Sequence, residues 1–317
     1  MIVYVLFVIG FVLLIYGANF LVDGASSLAR KYRVSDIVIG LTIVALGTSS
    51  PELVVNLMAS IKGSADVAMG NVLGSNVSNI LLILGVSALI YPLSVNNNTK
   101  WKEVPLSILA AAVLAVVAND AIIDGHGRSF ITRTDGIVLI AFFILFMYYA
   151  FGIARVSHDE GPTIKVFGLL RSWVMIVAGI AGLVMGGKWI VDGAVVIASA
   201  LGMSEALISL TIIAIGTSLP ELATCVVAAL KRNPDIVIGN VIGSNIFNVF
   251  FVLGTSAVIK PLPFNPALNF DVFAGILACL LLFVFLFFPR KKILERWQGG
   301  FLLLLYVGYI SMLVWRG

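Results

Sequence analysis

Two short segments of this sequence place chemically active side chains inside apolar surroundings. Residues 47–52 read Gly-Thr-Ser-Ser-Pro-Glu, and residues 216–221, 169 positions later, read Gly-Thr-Ser-Leu-Pro-Glu. Each segment puts a carboxylate, Glu52 or Glu221, into a run that is otherwise apolar enough for a membrane span. An ionisable side chain at that depth costs at least ~2.5 kcal/mol, so it indicates a functional site. Two carboxylates in matching positions predict one site built from two halves.

The proline of each segment should open the helix that carries it. Proline removes one backbone hydrogen bond and clashes with the carbonyl four residues earlier, which in both copies belongs to the glycine. The freed carbonyl oxygens then lie close to the carboxylate and to the hydroxyl side chains of the segment. Those hydroxyls belong to Thr48, Ser49, Thr217 and Ser218. All of these groups are hard oxygen ligands, which suit Ca²⁺, Na⁺ or Mg²⁺ better than a softer metal.

A second motif also occurs twice. Residues 70–79 read Gly-Asn-Val-Leu-Gly-Ser-Asn-Val-Ser-Asn, and residues 239–248 read Gly-Asn-Val-Ile-Gly-Ser-Asn-Ile-Phe-Asn. Every fourth residue is polar, which predicts a polar stripe along one helix face, and the glycines indicate close helix packing. One interpretation is a packing seam whose amides bond to neighbours. We favour ligands or direct supports of ligands, because Ca²⁺ takes six to eight oxygens and two carboxylates do not supply them. The residues expected to act as ligands or supports are Ser75, Asn79, Ser244 and Asn248.

The charge of this candidate site narrows its ligand. Glu52 and Glu221 carry two negative charges, and the other groups are neutral dipoles. Two charges neutralise one divalent cation or nearly neutralise three monovalent ones. Ca²⁺ and Na⁺ could therefore compete for the same site, as an antiporter requires.

Composition predicts an integral membrane protein. The 317 residues are 60% hydrophobic and 11% charged, with a mean hydropathy of +1.09, whereas soluble domains carry roughly 25% charged residues. The net charge of +4 does not call for a nucleic-acid partner, because the basic residues lie in short segments between apolar runs. The first apolar run is too long for the core of a signal peptide and lacks a basic leader, so we interpret it as a span.

Spans need about 20 mostly apolar residues, and on that rule we predict an all-α protein of ten transmembrane helices. The predicted spans are 2–22, 37–61, 67–91, 103–119, 135–154, 171–191, 205–230, 236–259, 270–288 and 298–315. Fourteen of the 20 Lys and Arg residues fall in the odd-numbered connections, which the positive-inside rule places in the cytoplasm. The sequence thus predicts a multi-pass protein of the plasma or inner membrane with both termini outside.

The two motifs belong to a longer internal repeat. Residues 37–93 align with residues 206–262 at a constant offset and without a gap. We therefore predict two five-helix repeats, 1–154 and 171–317, joined by a cytoplasmic connection at 155–170. Five is odd, so the second repeat enters the membrane from the opposite side. Inverted-topology repeats of this kind are typical of secondary transporters, whose sites lie near the bilayer midplane between the repeats.

The paired Gly-Thr-Ser-x-Pro-Glu and Gly-Asn-x-x-Gly-Ser-Asn motifs resemble those of the Na⁺/Ca²⁺ exchangers of the Ca²⁺:cation antiporter superfamily. The resemblance covers the whole ten-span layout. The chain looks like a compact prokaryotic member of this family. It implies four clustered cation sites, with spans 1 and 6 sliding as a pair to give alternating access. It also adds two backbone carbonyls to the ligands named above, those of Ala45 and Ala214. Many members carry Asp where this chain has Asn248, and this difference argues against K⁺ co-transport.

The predicted function is electrogenic exchange of Na⁺ for Ca²⁺, with no cofactor and with no partner beyond the two ions and the lipid bilayer. One alternative keeps the fold and replaces the coupling ion by H⁺ or K⁺. Another is a Ca²⁺ channel, although channels usually build filters from rings supplied by several subunits. An intramembrane enzyme would need a Ser/His, Asp/Asp or His-rich metal centre in the spans, and we find none in the sequence. We therefore do not expect an enzyme.

Overall fold

The protein is a bundle of helices. The computed structural model describes residues 2–125, 127, 129–154, 166–201, 214–287 and 293–316. In chain order its helices are α1 (Ile2–Tyr32), α2 (Asp36–Thr48), α3 (Ser50–Lys62), α4 (Ala65–Ile90), α5 (Val104–Val117), α6 (Asp120–Ile123), α7 (Arg133–Ala154), α8 (Leu169–Ala200), α9 (Ala214–Thr217), α10 (Leu219–Leu230), α11 (Pro234–Ile259), α12 (Asn269–Phe285) and α13 (Arg296–Arg316). Four two-residue strands complete the fold: β1 (Leu93–Ser94), β2 (Phe130–Ile131), β3 (Leu262–Pro263) and β4 (Ile293–Leu294).

Much of this bundle can cross a membrane. Within the described ranges, seven helices are long and apolar enough to span a bilayer, and the bent pair α2–α3 would make eight. The predicted fourth span coincides with α5, which has only 14 residues. The predicted seventh span begins in residues outside the described part. Most of the predicted connection 155–170 also lies outside it. The chain is therefore a multi-pass membrane protein, and the count of ten stays a prediction.

Helices α1 and α8 pack against each other along much of their length. They run antiparallel and meet at Gly10 with Gly186, Gly17 with Gly179, and Gly24 with Ser172. A Cβ atom at Gly17 would lie 2.9 Å from the carbonyl oxygen of Gly179, and one at Gly179 would lie 2.8 Å from that of Gly17. The two backbones thus touch at three levels spaced seven residues apart, as small residues allow in membrane helices. We call this contact the glycine seam.

Both seam helices extend beyond the predicted spans. Helix α1 continues to Tyr32 instead of ending near 22, and α8 continues to Ala200 instead of ending near 191. With a rise of 1.5 Å per residue, the 31 residues of α1 reach about 46 Å, more than the ~30 Å apolar thickness of a bilayer. The added turns of α1 are buried in the protein although they carry Ser26 and Ser27.

The two halves of the chain are interleaved. Strand β1 pairs antiparallel with β4, and β2 pairs with β3, so each pair joins one half to the other. Helix α7 packs on the end of α11 through stacked Phe142 and Phe250, whose ring centroids are 5.3 Å apart. Helix α13 packs in the matching way on the end of α4, where a Cβ atom at Gly85 would lie 3.0 Å from the carbonyl oxygen of Gly299. Each half therefore supplies the last helix that covers the other.

Among the residues that the structure describes, three core helices contain a wide, π-helical turn. These turns are Gly40–Val44 in α2, Asn79–Ile83 in α4 and Asn248–Leu253 in α11. A fourth, Thr99–Glu103, leads into α5. The turns in α4 and α11 begin at equivalent residues of the repeat. Inserted π turns are often found at functional sites, because they rotate the side chains that follow them.

The glycines of the second motif pack as predicted. A Cβ atom at Gly239 would lie 2.6 Å from the carbonyl oxygen of Ile37, and one at Gly243 would lie 2.6 Å from that of Leu41. Helix α11 thus lies directly against the backbone of α2. The residues equivalent to Ile37 and Leu41, which would pack on Gly70 and Gly74, lie at 206 and 210, outside the described residues. This half of the glycine prediction remains untested.

Candidate cation site

The helix breaks predicted at the two prolines are present. Helix α2 ends at Thr48, Ser49 leaves the helical conformation (φ −83°, ψ 10°), and α3 begins at Ser50 with a bend of 47°. In the other half α9 ends at Thr217, and Ser218 has nearly the same backbone angles (φ −87°, ψ 4°). The pyrrolidine ring cannot continue the hydrogen-bond ladder, so each helix restarts at the proline.

The two carboxylates lie in the first turns of the restarted helices. Glu52 and Glu221 are both only 1% exposed. The N-terminal turn of a helix favours negative charge, since its free N–H groups point toward it. Neither carboxylate has a Lys or Arg partner within 4 Å among the described residues. A buried charge is costly unless it is compensated, so the position calls for a cation from outside the chain.

Each carboxylate has one oxygen bonded and one free. Ser49 donates to Glu221 Oε1 at 2.8 Å, and Ser75 donates to Glu52 Oε1 at 3.5 Å. In the described part of the chain, the Oε2 atoms of both glutamates are buried without a hydrogen-bond partner. Natural structures rarely leave buried acceptors unpaired. Two such oxygens in equivalent positions fit a pair of cation ligands.

The hydroxyls of each proline segment contact the polar stripe of the opposite half. Ser49 Oγ lies 2.9 Å from Ser244 Oγ, and Ser218 Oγ lies 3.4 Å from Ser75 Oγ. All four serines are buried. These contacts bring side chains from the two halves of the chain together at the candidate site.

The threonine hydroxyls follow the same crossed pattern. Thr48 donates to Asn240 Oδ1 at 3.0 Å, and Thr217 donates to Asn71 Oδ1 at 3.3 Å. Thr48 Oγ1 also lies 3.4 Å from the carbonyl oxygen of Ala45. Ala214, the equivalent of Ala45, is the first residue of α9. Each threonine thus has a hydrogen-bond partner in the opposite half, and the Ala45 carbonyl lies beside Thr48.

Asn79 and Asn248 complete the predicted set. They begin the π turns of α4 and α11, are 1% and 0% exposed, and each has an Oδ1 without a hydrogen-bond partner among the described residues. The turn that starts at Asn79 packs on α10, the helix of Glu221, and the turn that starts at Asn248 packs on α3, the helix of Glu52. We call the oxygens of the two glutamates, the four serines and these two asparagines the cage.

The asparagines at the start of each stripe are supports. Asn71 donates to Asn56 Oδ1 at 2.6 Å, and Asn56 donates to the Ala68 carbonyl at 3.0 Å. In the other half Asn240 donates to Cys225 Sγ at 3.3 Å, and that thiol lies 3.8 Å from the Val237 carbonyl. The aligned but dissimilar residues Asn56 and Cys225 thus make the same pair of contacts.

The chain is similar to known cation transporters over its full length. The family profile described as sodium/calcium exchanger protein matches residues 2–152 and 171–315. The putative antiporter CaxA of Alkalimonas amylolytica is 39% identical over 317 residues, 96% of each chain. The inner membrane protein YrbG of Escherichia coli is 37% identical and covers 98% of this chain and 96% of its own. A solved structure of the sodium-calcium exchanger NCX_Mj, soaked with Na⁺ and Sr²⁺, superposes with a TM-score of 0.85 at 33% identity over 98% of both chains.

Proposed function

The chain belongs to the sodium/calcium exchanger protein family, and we propose that it is an electrogenic antiporter that exchanges Na⁺ for Ca²⁺. The observation that carries the proposal is the pair of buried glutamates, one from each half, whose Oε2 atoms have no partner in the described structure. Their two negative charges balance one Ca²⁺ or nearly balance three Na⁺. The same cage then binds either one Ca²⁺ or three Na⁺, but not both at once. Because the two loads differ in charge, each exchange moves net charge across the membrane.

We assign the cation ligands to the twelve residues of the predicted site. The carboxylates of Glu52 and Glu221 supply charge, and hydroxyls, amide oxygens and two backbone carbonyls supply the remaining oxygens that Ca²⁺ needs. The neutral ligands are Ala45, Thr48, Ser49, Ser75, Asn79, Ala214, Thr217, Ser218, Ser244 and Asn248. The crossed contacts of the serines, Ser49 with Ser244 and Ser218 with Ser75, support a single shared cage.

Na⁺ is the coupling ion that the ligands favour. Several hydroxyls and amide oxygens surround only two carboxylates, which suits a hard monovalent cation that needs many neutral oxygens. H⁺ coupling through Glu52 or Glu221 is the alternative, since the same carboxylates could carry protons. K⁺ coupling is disfavoured by Asn248, which supplies no charge where many relatives have Asp.

The proposed mechanism is alternating access between two inverted halves. We propose ten helices as two five-helix repeats, 1–154 and 171–317, joined by a cytoplasmic connection at 155–170, with both termini outside and the cage near the midplane. Helices α1 and α8, which touch along the glycine seam, would move together over the helices that hold the cage. We place the protein in the inner membrane, as the name of the E. coli relative suggests.

The test is ⁴⁵Ca²⁺ uptake into proteoliposomes loaded with Na⁺, K⁺ or acidic buffer and diluted into Na⁺-free medium. We expect uptake only with internal Na⁺. Replacing Glu52 by Gln removes one of two charges and should reduce uptake to background. The matched control is Glu295→Gln, which makes the same chemical change at an exposed residue that accepts a hydrogen bond from Trp297.

The other outcomes separate the alternatives. Uptake driven by an acidic interior would keep the cage and replace Na⁺ by H⁺ as the coupling ion. Uptake that needs no counter-ion would indicate a channel. Normal Na⁺-driven uptake by both Glu52→Gln and Glu221→Gln would refute the assignment of the cage.

A further inference from the structure

Asn76 and Asn245 form a reciprocal hydrogen-bonded pair between the two halves. Asn76 Nδ2 donates to the Asn245 carbonyl at 3.3 Å, and Asn245 Nδ2 donates to the Asn76 carbonyl at 3.3 Å. Each follows a cage serine in the chain, but neither lies on the polar stripe that the sequence predicts. The two bonds join α4 to α11 at equivalent positions.

The same two side chains also hold the amides of the cage. Asn76 Oδ1 accepts from Asn248 Nδ2 at 3.1 Å, and Asn245 Oδ1 accepts from Asn79 Nδ2 at 2.9 Å. The side-chain oxygen and nitrogen of both Asn76 and Asn245 are thus hydrogen-bonded. Asn76 holds Asn248, and Asn245 holds Asn79, so each holds a cage amide of the opposite half. We call the pair Asn76 and Asn245 the amide clasp.

The clasp decides which end of each cage amide is free. In an asparagine side chain, the oxygen accepts and the nitrogen donates. Because the nitrogens of Asn79 and Asn248 are bonded to the clasp, their oxygens point away from it, and those are the buried atoms without a partner in the described residues. A reversed amide would present N–H groups to a cation and would set its oxygen against another amide oxygen.

Packing alone does not hold these side chains. Asn76 and Asn245 line a cavity of about 20 Å³ that is also bordered by Ser107 and Cys279. A cavity of this size can admit about one water molecule. The side chains therefore have free space beside them, and the hydrogen bonds are what fixes their orientation.

We propose that Asn76 and Asn245 are positioning residues, which set the cation affinity of the cage by turning the amide oxygens of Asn248 and Asn79 toward it. This inference rests on the proposed function, because it takes the cage to be the cation site. The clasp residues touch no cation themselves. They act by orienting the side chain of Asn248 or Asn79. Their effect should therefore be present when that side chain is an amide, with one oxygen and one nitrogen, and absent when it is a carboxylate, with two oxygens.

The test measures equilibrium binding of ⁴⁵Ca²⁺ to the purified full-length protein in detergent without Na⁺. We expect Asn76→Ala to raise the half-saturating Ca²⁺ concentration about tenfold, since one ligand of the cage loses its orientation. In an Asn248→Asp background, the same change should have less than about a twofold effect, because both ends of a carboxylate are oxygens. A purely structural role would weaken binding equally in both backgrounds.

The matched control breaks a similar amide pair away from the cage. Asn119 and Asn269 each donate to the other's Oδ1 at 2.9 Å, and Asn119→Ala should leave Ca²⁺ binding unchanged. If Asn76→Ala does not yield folded protein, Asn245→Ala with and without Asn79→Asp makes the same comparison on the other half.

The outcomes distinguish the two levels of the proposal. A wild-type protein that binds no Ca²⁺ would overturn the proposed function together with the clasp. Wild-type binding with no effect of Asn76→Ala, or with an equal effect in both backgrounds, would overturn the positioning role alone. Because binding is measured without a gradient, an error in the coupling ion would leave the test intact.

Discussion

Ser49 is the residue through which one half of the cage contacts the carboxylate of the other. Its hydroxyl lies 2.8 Å from Glu221 Oε1 and 2.9 Å from Ser244 Oγ. Hydrogen bonds to charged groups contribute about 1.5–3 kcal/mol. We expect Ser49→Ala to raise the half-saturating Ca²⁺ concentration for uptake by about tenfold to a hundredfold, since a ligand and a support of Glu221 are lost together.

The neighbouring serine provides the control for this change. Ser50 Oγ donates to the Leu46 carbonyl of the preceding turn at 2.9 Å, so Ser50→Ala removes a hydroxyl without touching the cage. The dependence of ⁴⁵Ca²⁺ uptake on Ca²⁺ concentration should be nearly the same for Ser50→Ala as for the wild type. If Ser49→Ala and Ser50→Ala raise the half-saturating Ca²⁺ concentration equally, the helix break is sensitive to the loss of either hydroxyl, and Ser49 has no special role.

The sequence could indicate some of these residues and not others. Glu52 and Glu221 stand out because a carboxylate in an apolar run is rare. Asn76 belongs to the repeated Gly-Ser-Asn motif, but its role was not predictable, since that role depends on a partner in the other half that no spacing reveals. Glu103 does not stand out in the sequence, because it lies near the predicted end of a span, where a solvated acid is ordinary. The structure buries it, and Tyr149 donates to it at 2.7 Å.

At the scale of the elements, the break between α2 and α3 is what exposes backbone and hydroxyl oxygens in one place. Pro51→Ala restores the N–H group that a continuous helix from α2 into α3 needs. We expect this variant to be at least as heat-stable as the wild type and to take up ⁴⁵Ca²⁺ at least about tenfold more slowly. The two measurements are a melting curve in detergent and the flux assay.

Pro105 is the comparison for this variant. It lies near the start of α5, directly after the π-helical turn Thr99–Glu103, and it supplies no oxygen to the cage. Pro105→Ala should change neither uptake nor melting by much. If Pro51→Ala transports normally, the geometry of the break is not required for ion binding.

The kink could be predicted from the sequence, and the π turns could not. Inside an apolar span, proline removes a backbone hydrogen bond and clashes with the carbonyl four residues earlier, so Pro51 and Pro220 predict the breaks. The π turns at Asn79 and Asn248 add one residue to a turn without a characteristic composition. A regular helix predicts Asn71, Ser75 and Asn79 on one stripe, and it does not predict that the stripe ends in a widened turn.

At the scale of the whole molecule, equivalent positions of the internal repeat make different contacts. Lys231, at the end of α10, lies 2.6 Å from Asp23 on α1. The equivalent residues of the repeat are Lys62 and Asp192, which are both exposed and make no ion pair in the described structure. The inverted topology that we propose places the two positions on opposite faces of the membrane. Under the proposed alternating access, the ion pair holds one face closed while the other is free.

Lys231→Met should therefore loosen one face. The pair is about one-third exposed, with side-chain exposures of 31% and 37%, and such pairs contribute at most about 1 kcal/mol. We expect backbone hydrogen exchange in residues 229–236 to rise about two- to fivefold, and the increase to vanish at high salt. Lys62→Met is the matched control and should not change exchange around residue 62. Equal effects of the two variants would show that the asymmetry has no energetic meaning.

The repeat predicts two halves, and the structure adds how they are joined. The strand pairs β1–β4 and β2–β3, and the packing of α7 on α11, all cross from one half to the other. Hydrophobic periodicity reports which face of a helix is buried and does not report the neighbour that buries it. The order of helices along the chain therefore gave no sign of this exchange.

The glycine seam limits how this protein can change in length. Its three levels, Gly10 with Gly186, Gly17 with Gly179 and Gly24 with Ser172, hold only while the spacing in both helices stays at seven. One inserted or deleted residue turns all that follows by about 100°, and side chains would then be forced between the two backbones. Loops of this chain can lengthen or shorten as the protein diverges, whereas α1 and α8 can accept substitutions outside the seam but no change in residue number between their outer levels.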